Sequence, residues 1–206
     1  MFFKKAICLS VHIKSKKPLN LLLIDNYDSF TYNLVQLVKQ SGFKVLDIVK
    51  NDRLLSLDKH YDKILISPGP GIASEAGELM TFLRNNYTSA SILGICLGQE
   101  AIVELFGGKH KKLAHPLHGY RNKATIVNQH YIFKQLPTTF NIGHYHSWYV
   151  DEPTFPVELK ILVKDEQELI MGVTHERFDV TGLFFHPESI MTEFGKTIIG
   201  NWLKNG

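Results

Sequence analysis

Two cysteines in 206 residues, Cys8 and Cys96, are too few for a disulfide framework. Such sparse use fits a reducing compartment, so a cytoplasmic location is expected. No apolar run reaches the roughly 20 residues that a membrane-spanning helix needs, and no repeat or low-complexity tract is present. A real excess of one charge is missing too. The formal net charge is +3, but Lys4, Lys5, Lys14, Lys16 and Lys17 all precede Pro18 in a stretch without an acidic residue. Without those five, 18 basic residues stand against 20 acidic ones. That balance offers no electrostatic footprint for nucleic acid, so neither nucleic acid nor a membrane is expected as a partner. Residues 1–18 also lack the marks of a secretory signal. Their apolar stretch is short, is interrupted by His12 and ends in lysines rather than in small residues at a cleavage site. They read as a basic tail, disordered or added by an upstream start, ahead of one domain over residues 19–206.

What remains is ordinary globular material, 44% hydrophobic and 21% charged. Its first two thirds alternate continuous apolar runs, at residues 21–24, 45–49, 64–66 and 92–95, with helical periodicities. Phe30, Leu34, Leu37 and Val38 form one such stripe, and Ala76, Leu79, Met80 and Leu83 another. Runs without polar alternation are strands buried on both faces, as in a parallel sheet between helix layers. From Lys123 to Phe185 the pattern changes to short strands and turns broken by Pro137, Pro153 and Pro156, and a last helix over 192–203 is expected to bury Phe194, Ile198 and Trp202. The fold class is therefore α/β, an open, mostly parallel sheet flanked by helices with a small antiparallel extension. Sites in such sheets lie beyond the carboxyl ends of the strands, where Asp25, Ser67 and Cys96 fall.

Gly94-Ile95-Cys96-Leu97-Gly98 has the form of a nucleophile elbow, with Cys96 on the sharp turn between a buried strand and a helix over 99–106. Its flanking glycines suit a place where strand and helix backbones come close. A helix N-terminus favours thiolate over thiol and lowers a pKa that starts near roughly 8.5 for a free cysteine. A base and an orienting group are then required. Of the ten histidines, His186 stands out, because His186-Pro187-Glu188 follows the apolar run 180–185. Residues two apart on extended chain share a side, so Glu188 can fix the imidazole tautomer while the other nitrogen faces the sulfur. An oxyanion hole needs backbone N–H groups aimed at developing negative charge. Leu97 supplies one, and the stiff turn Ser67-Pro68-Gly69-Pro70-Gly71 lies at the same end of the sheet. His144 and His146, with His175 or His186, lack a further ligand at a defined spacing, so no metal is expected. His115 and His118 read as loop residues without a role.

Together these residues resemble the class I glutamine amidotransferases, and among them the glutaminase subunits of anthranilate synthase and aminodeoxychorismate synthase. The likeness runs from residue 21 to about residue 203, through residues 25–33, 67–71 and 94–98, His146-Ser147 and His186-Pro187-Glu188-Ser189. The resemblance implies a flavodoxin-like sheet and the triad Cys96, His186 and Glu188. Cys96 would attack the side-chain amide of glutamine, and the γ-glutamyl thioester would be hydrolysed to glutamate while ammonia passes to a chorismate-binding synthase subunit. It further implies that Gly69 and the Leu97 amide form the oxyanion hole, and that Pro70, Gly71, Glu100, Ser147 and Trp148 belong to the glutamine site. No cofactor is expected in this subunit; Mg2+ belongs to the partner synthase.

Two positions depart from the family pattern. Cys-Leu-Gly-His-Gln is usual after the elbow, whereas this chain has Cys96-Leu97-Gly98-Gln99-Glu100. An ionised Glu100 accepts hydrogen bonds only, and its charge, within about a helical turn of Cys96, disfavours the thiolate. Tyr120 stands where the family commonly has lysine. Two other readings stay open: a related thiol γ-glutamyl hydrolase, against which residues 25–33 argue, and a non-catalytic regulatory subunit, against which the intact triad argues.

Overall fold

The computed structural model describes residues 19–43 and 46–205; the tail expected over 1–18, with Cys8, lies outside them. Strand β1 (Leu21–Asp25) reads Leu-Leu-Leu-Ile-Asp and is buried throughout. Extended chain sends alternate side chains to opposite faces, so such a strand needs cover on both. Leu21 and Leu23 join one core with Leu34 and Val38 of α1 (Thr31–Gln40) and Ile198 and Trp202 of α4 (Gly195–Lys204). Leu22 and Ile24 join the other with Leu79 and Phe82 of α2 (Leu79–Asn86) and Ile102 of α3 (Leu97–Leu105). The same division recurs in β3 (Lys63–Ile66) and β4 (Ser91–Ile95).

With β2 (Leu46–Lys50), β5 (His110–Ile126), β6 (Thr139–Val150), β7 (Leu159–Asp165), β8 (Ile170–His175) and β9 (Val180–Leu183), these strands make one nine-stranded sheet. Its order is β2-β1-β3-β4-β9-β8-β7-β5-β6. From β2 to β9 the pairs are parallel; from β9 to β6 they are antiparallel. The antiparallel part differs from expectation. It starts at His110 rather than Lys123, directly after the Gly107-Gly108 turn, and its hairpin pairs strands of 17 and 12 residues. His115 and His118 thus lie on β5, beside register shifts at Lys112/Leu117 and His118/Tyr120.

The last helix also begins later than its periodicity indicates. Thr192 is occupied outside it, its hydroxyl donating to the His186 carbonyl and accepting from the Gly143 amide. Phe194 is the helix cap in the left-handed region, φ 60°, and 43% exposed rather than core. Gly195 follows because a Cβ there would stand 1.8 Å from the Pro187 carbonyl oxygen. No helix among the described residues is long and apolar enough to cross a membrane.

Candidate active site

Strand β4 lies between β3 and β9, and its end delivers Cys96 to the rim of the sheet. Cys96 has φ 51° and ψ −103°, a backbone state that costs a β-carbon-bearing residue about 1–3 kcal/mol and persists only when its surroundings enforce it. They do so by close approach. A Cβ on Gly94 would lie 2.4 Å from the Gly98 carbonyl oxygen, and one on Gly98 would lie 3.0 Å from Ile66. Helix α3 starts at Leu97, two residues earlier than its apolar spacing indicates, so the sulfur sits directly at its N-terminus.

The chain leaves β9 through the fully buried Phe184 and Phe185 and then presents His186 and Glu188, both buried. His186 Nδ1 and Glu188 Oε1 are 2.6 Å apart. The ring is held between Phe30, edge-on at 5.6 Å, and Tyr145 at 4.8 Å. Phe30, read from the sequence as part of an apolar helix face, thus packs on the candidate base. Nε2 is buried and has no well-formed hydrogen bond, yet Cys96 is the group that acts on it. Catalytic hydrogen bonds often tighten only once substrate is bound.

Burial of the His186 ring lowers its pKa, but the Glu188 charge and the interactions with Cys96 and Glu188 prevail and push it up to about 10. Burial pushes the Cys96 thiol up, and the neighbouring His186 opposes it. Burial thus works against the lowering expected from the helix N-terminus, and His186 is the group that favours the thiolate.

Beside Cys96 opens a cavity of about 240 Å³, lined by Gly69, Pro70, Gly71, Glu100, Ser147 and Trp148 together with Lys112, His118, Tyr145 and His146. The last four were not singled out for it from the sequence; only a pairing of β5 with β6 brings Lys112 and His118 to this wall. Leu97 contributes its backbone beside Cys96, while its side chain meets the loop: a Cβ on Gly69 would lie 2.5 Å from Leu97 Cδ2 and 2.6 Å from Asn26 Cβ. Asn26 holds that loop, its Nδ2 donating to the Ser67 carbonyl at 2.8 Å while its backbone N–H donates to Ser67 Oγ at 2.9 Å. Asp25 is structural here, paired with Lys50 at 2.6 Å and accepting from Tyr27 N and Thr31 Oγ1.

Glu100 is 3% exposed, and burial, aided by the Glu104 charge, raises its pKa to about 8. At neutral pH it is mainly the neutral acid, able to donate as well as accept, so the charge foreseen beside Cys96 is largely absent. Tyr120 is exposed with its ring 6.0 Å from His144; nothing in the structure explains its presence. His144 and His146 bond to each other at 2.9 Å, and His175 Nδ1 accepts from the amides of Arg177 and Phe178. Among the described residues no group of three His, Cys, Asp or Glu is placed to hold a metal ion.

A family model described as glutamine amidotransferase class-I matches residues 22–205. Anthranilate synthase component 2 of Lactococcus lactis is 40% identical over 189 residues, 89% of this chain and 93% of that protein. Aminodeoxychorismate synthase component 2 of Escherichia coli is 38% identical over 186 residues, 89% of this chain and 98% of that protein. A solved structure from Thermoplasma acidophilum superposes with a TM-score of 0.80 at 23% identity, covering 92% of this chain and 94% of its own. At that identity the likeness speaks for the fold alone.

Proposed function

Because the chain belongs to the class-I glutamine amidotransferase family, we propose that it is the glutaminase subunit of a chorismate-aminating synthase, of the anthranilate or the aminodeoxychorismate type. The observation that carries the chemistry is the 2.6 Å His186–Glu188 contact beside a cysteine strained onto a helix N-terminus. In this reading His186 Nε2 takes the Cys96 proton as sulfur bonds to the side-chain carbonyl carbon of glutamine, and Glu188 stabilises the imidazolium. The oxyanion faces the amides of Leu97 and the 67–71 loop. Collapse of the tetrahedral adduct breaks the C–N bond, the His186 proton goes to the leaving nitrogen, and ammonia departs. Water, deprotonated by His186, then attacks the thioester carbon, and the thiol is regenerated with glutamate.

Glutamine is held in the cavity by Gly71, Ser147 and Trp148, and the neutral Glu100 acid donates to it where the family has a glutamine amide. The relatives are named as second components of two-component synthases, which supports a hetero-oligomer with a chorismate-binding first component. The glutaminase step draws on these side chains alone, with Mg2+ assigned to the partner. The test is glutamate release by the purified chain, alone and with each candidate synthase, with and without chorismate. Activity that rises with one synthase and disappears in Cys96→Ser while the fold persists supports the reading. Activity surviving in Cys96→Ser would sink the nucleophile, and silence with every partner would favour the non-catalytic subunit.

A further inference from the structure

Behind the cavity wall, four buried polar side chains run across three strands of the antiparallel half. His146 Nδ1 lies 2.7 Å from the Trp148 carbonyl oxygen, His146 Nε2 lies 2.9 Å from His144 Nδ1, and His144 Nε2 lies 2.6 Å from Asn122 Oδ1. The Asn122 amide donates to Asp165 Oδ2 at 3.2 Å, and Asp165 Oδ1 accepts the backbone N–H groups of Gln167 and Leu169. His144, His146, Asn122 and Asp165 are each at most 5% exposed, so solvent cannot stand in for a missing partner.

Both ends of the histidine pair meet acceptors. A carbonyl oxygen only accepts, so His146 Nδ1 must bring a proton. Asn122 turns its oxygen to His144 because its NH2 is engaged by Asp165, so His144 Nε2 must bring another. The nitrogen–nitrogen contact needs a third, yet two neutral imidazoles carry only one each. Turning the Asn122 amide over satisfies two neutral rings, but it sets two oxygens 3.2 Å apart at Asp165, and that contact then needs the proton instead. Under either assignment the cluster holds one proton more than two neutral rings and a carboxylate. The orientation in which the amide NH2 donates to Asp165 and two backbone N–H groups donate to the same carboxylate leaves every oxygen there with a donor, and in that orientation the surplus falls to the rings.

We propose that His144 and His146 share three ring protons at neutral pH, a buried imidazole–imidazolium pair balanced by Asp165 through Asn122, and that this pair positions the Trp148 backbone at the glutamine cavity. Desolvation works against charge here, pulling His144 to about 4 and His146 to about 3. The Asp165 carboxylate, 4.0 Å from His144, opposes that pull, and the mutual repulsion of the rings limits the surplus to one proton. With Asn122 oriented so that its NH2 meets Asp165, a wholly neutral pair would leave either two nitrogen lone pairs facing each other at 2.9 Å or a nitrogen lone pair against an oxygen lone pair at 2.6 or 2.7 Å. The other groups around it are Tyr120 beside His144, His186, whose charge opposes a proton on either ring, His118, whose charge opposes one on His146, and Lys112 and Glu100 lining the cavity that His146 also faces. The pair titrates as a unit.

The positioning role rests on the glutaminase reading; the proton count does not. Long-range ¹H–¹⁵N spectra of the imidazoles, recorded without substrate on the intact protein, read the count directly. At neutral pH one of the two rings should show both nitrogens protonated, with a strongly deshielded proton in the nitrogen–nitrogen contact. Two neutral rings would overturn the assignment. Asn122→Leu, which removes the acceptor, should convert the pair to neutral rings and raise the KM for glutamine several-fold with kcat little changed. A KM unmoved in an Asn122→Leu protein that has lost the signature would overturn the positioning role, whereas absent glutamine turnover in the unaltered protein counts against the proposed function and leaves the spectra to decide the protons.

Discussion

Around β3 and β4 the sheet is apolar on both faces, and the backbones of strand, elbow and helix touch, with Gly98 fitted against both Gly94 and Ile66. Around β5 and β6 the same sheet buries His144, His146 and Asn122 in hydrogen bonds and carries two register shifts along one hairpin. The first region holds Cys96 in one strained conformation. The second builds most of the far wall of the cavity from side chains, Lys112, His118, Tyr145, Ser147 and Trp148. Rigidity comes from close-packed backbone around the candidate nucleophile, and from hydrogen-bonded side chains behind the cavity wall. A methyl group added at Gly94 meets backbone that cannot yield; one added at Gly172, on β8 of the antiparallel half, meets only side-chain atoms, and at a longer distance.

That contrast is open to attack at three levels. The largest effect is expected from Gly94→Ala, whose Cβ faces the Gly98 carbonyl at 2.4 Å, set against Gly172→Ala on β8, whose Cβ meets Val163 side-chain atoms at 3.2 Å. The former should cost roughly 3 kcal/mol or more and abolish glutamate release, the latter about 1 kcal/mol with activity retained. Denaturant midpoints compare them, and equal losses would erase the distinction between the halves.

A smaller, pH-dependent effect should follow from Glu100→Gln. The Glu100 pKa is raised in the folded chain from 4.5 to about 8, so the native state holds a proton that the unfolded chain has released. Its contribution to stability therefore falls as pH rises from about 4.5 to about 8. Glu100→Gln should match the parent below that window and exceed it above, by about 1–3 kcal/mol. Ionised Glu100 also disfavours the Cys96 thiolate, so kcat/KM should fall on the alkaline side in the parent and less in the variant. Superimposable pH profiles for both unfolding and turnover would show that burial does not control this carboxyl.

The smallest effect belongs to Gln99, fully buried over Gly182 with neither amide atom hydrogen-bonded. Gln99→Met keeps the length and removes the unpaired polar atoms, so a gain of about 1 kcal/mol and a melting temperature a few degrees higher are expected. A loss of similar size would mean that the amide has a partner in solution.

Much of the parallel half was legible because its signals are local. The runs at β1, β3 and β4 read as strands covered on both faces, and the glycines around Cys96 announced a close crossing that GICLG alone carries. His186 and Glu188 were legible for the same reason, two residues apart on extended chain. Less was legible in the antiparallel half. Residues 110–122 mix His, Lys and Gly without alternation, because much of that strand is exposed and its bulges break the period, so neither its length nor the place of His118 could be read. Phe30 looked like any apolar helix residue, and Phe194 fitted a helical stripe although Thr192 and Gly195 are committed to the His186 turn.

The sequence by itself determined the α/β class and the family and singled out the candidate nucleophile, base and orienting acid, since each is written in short spacings that local backbone geometry converts into shape. Only the tertiary structure decided which of those groups are buried, and with that the direction of their pKa shifts, and the walls around them. Burial raises Cys96 and turns Glu100 into a neutral acid, and the pairing of β5 with β6 and β7 sets His146, His144, Asn122 and Asp165 in line. Desolvation and proton counting depend on which groups the fold excludes from water together, and no spacing along the chain states that.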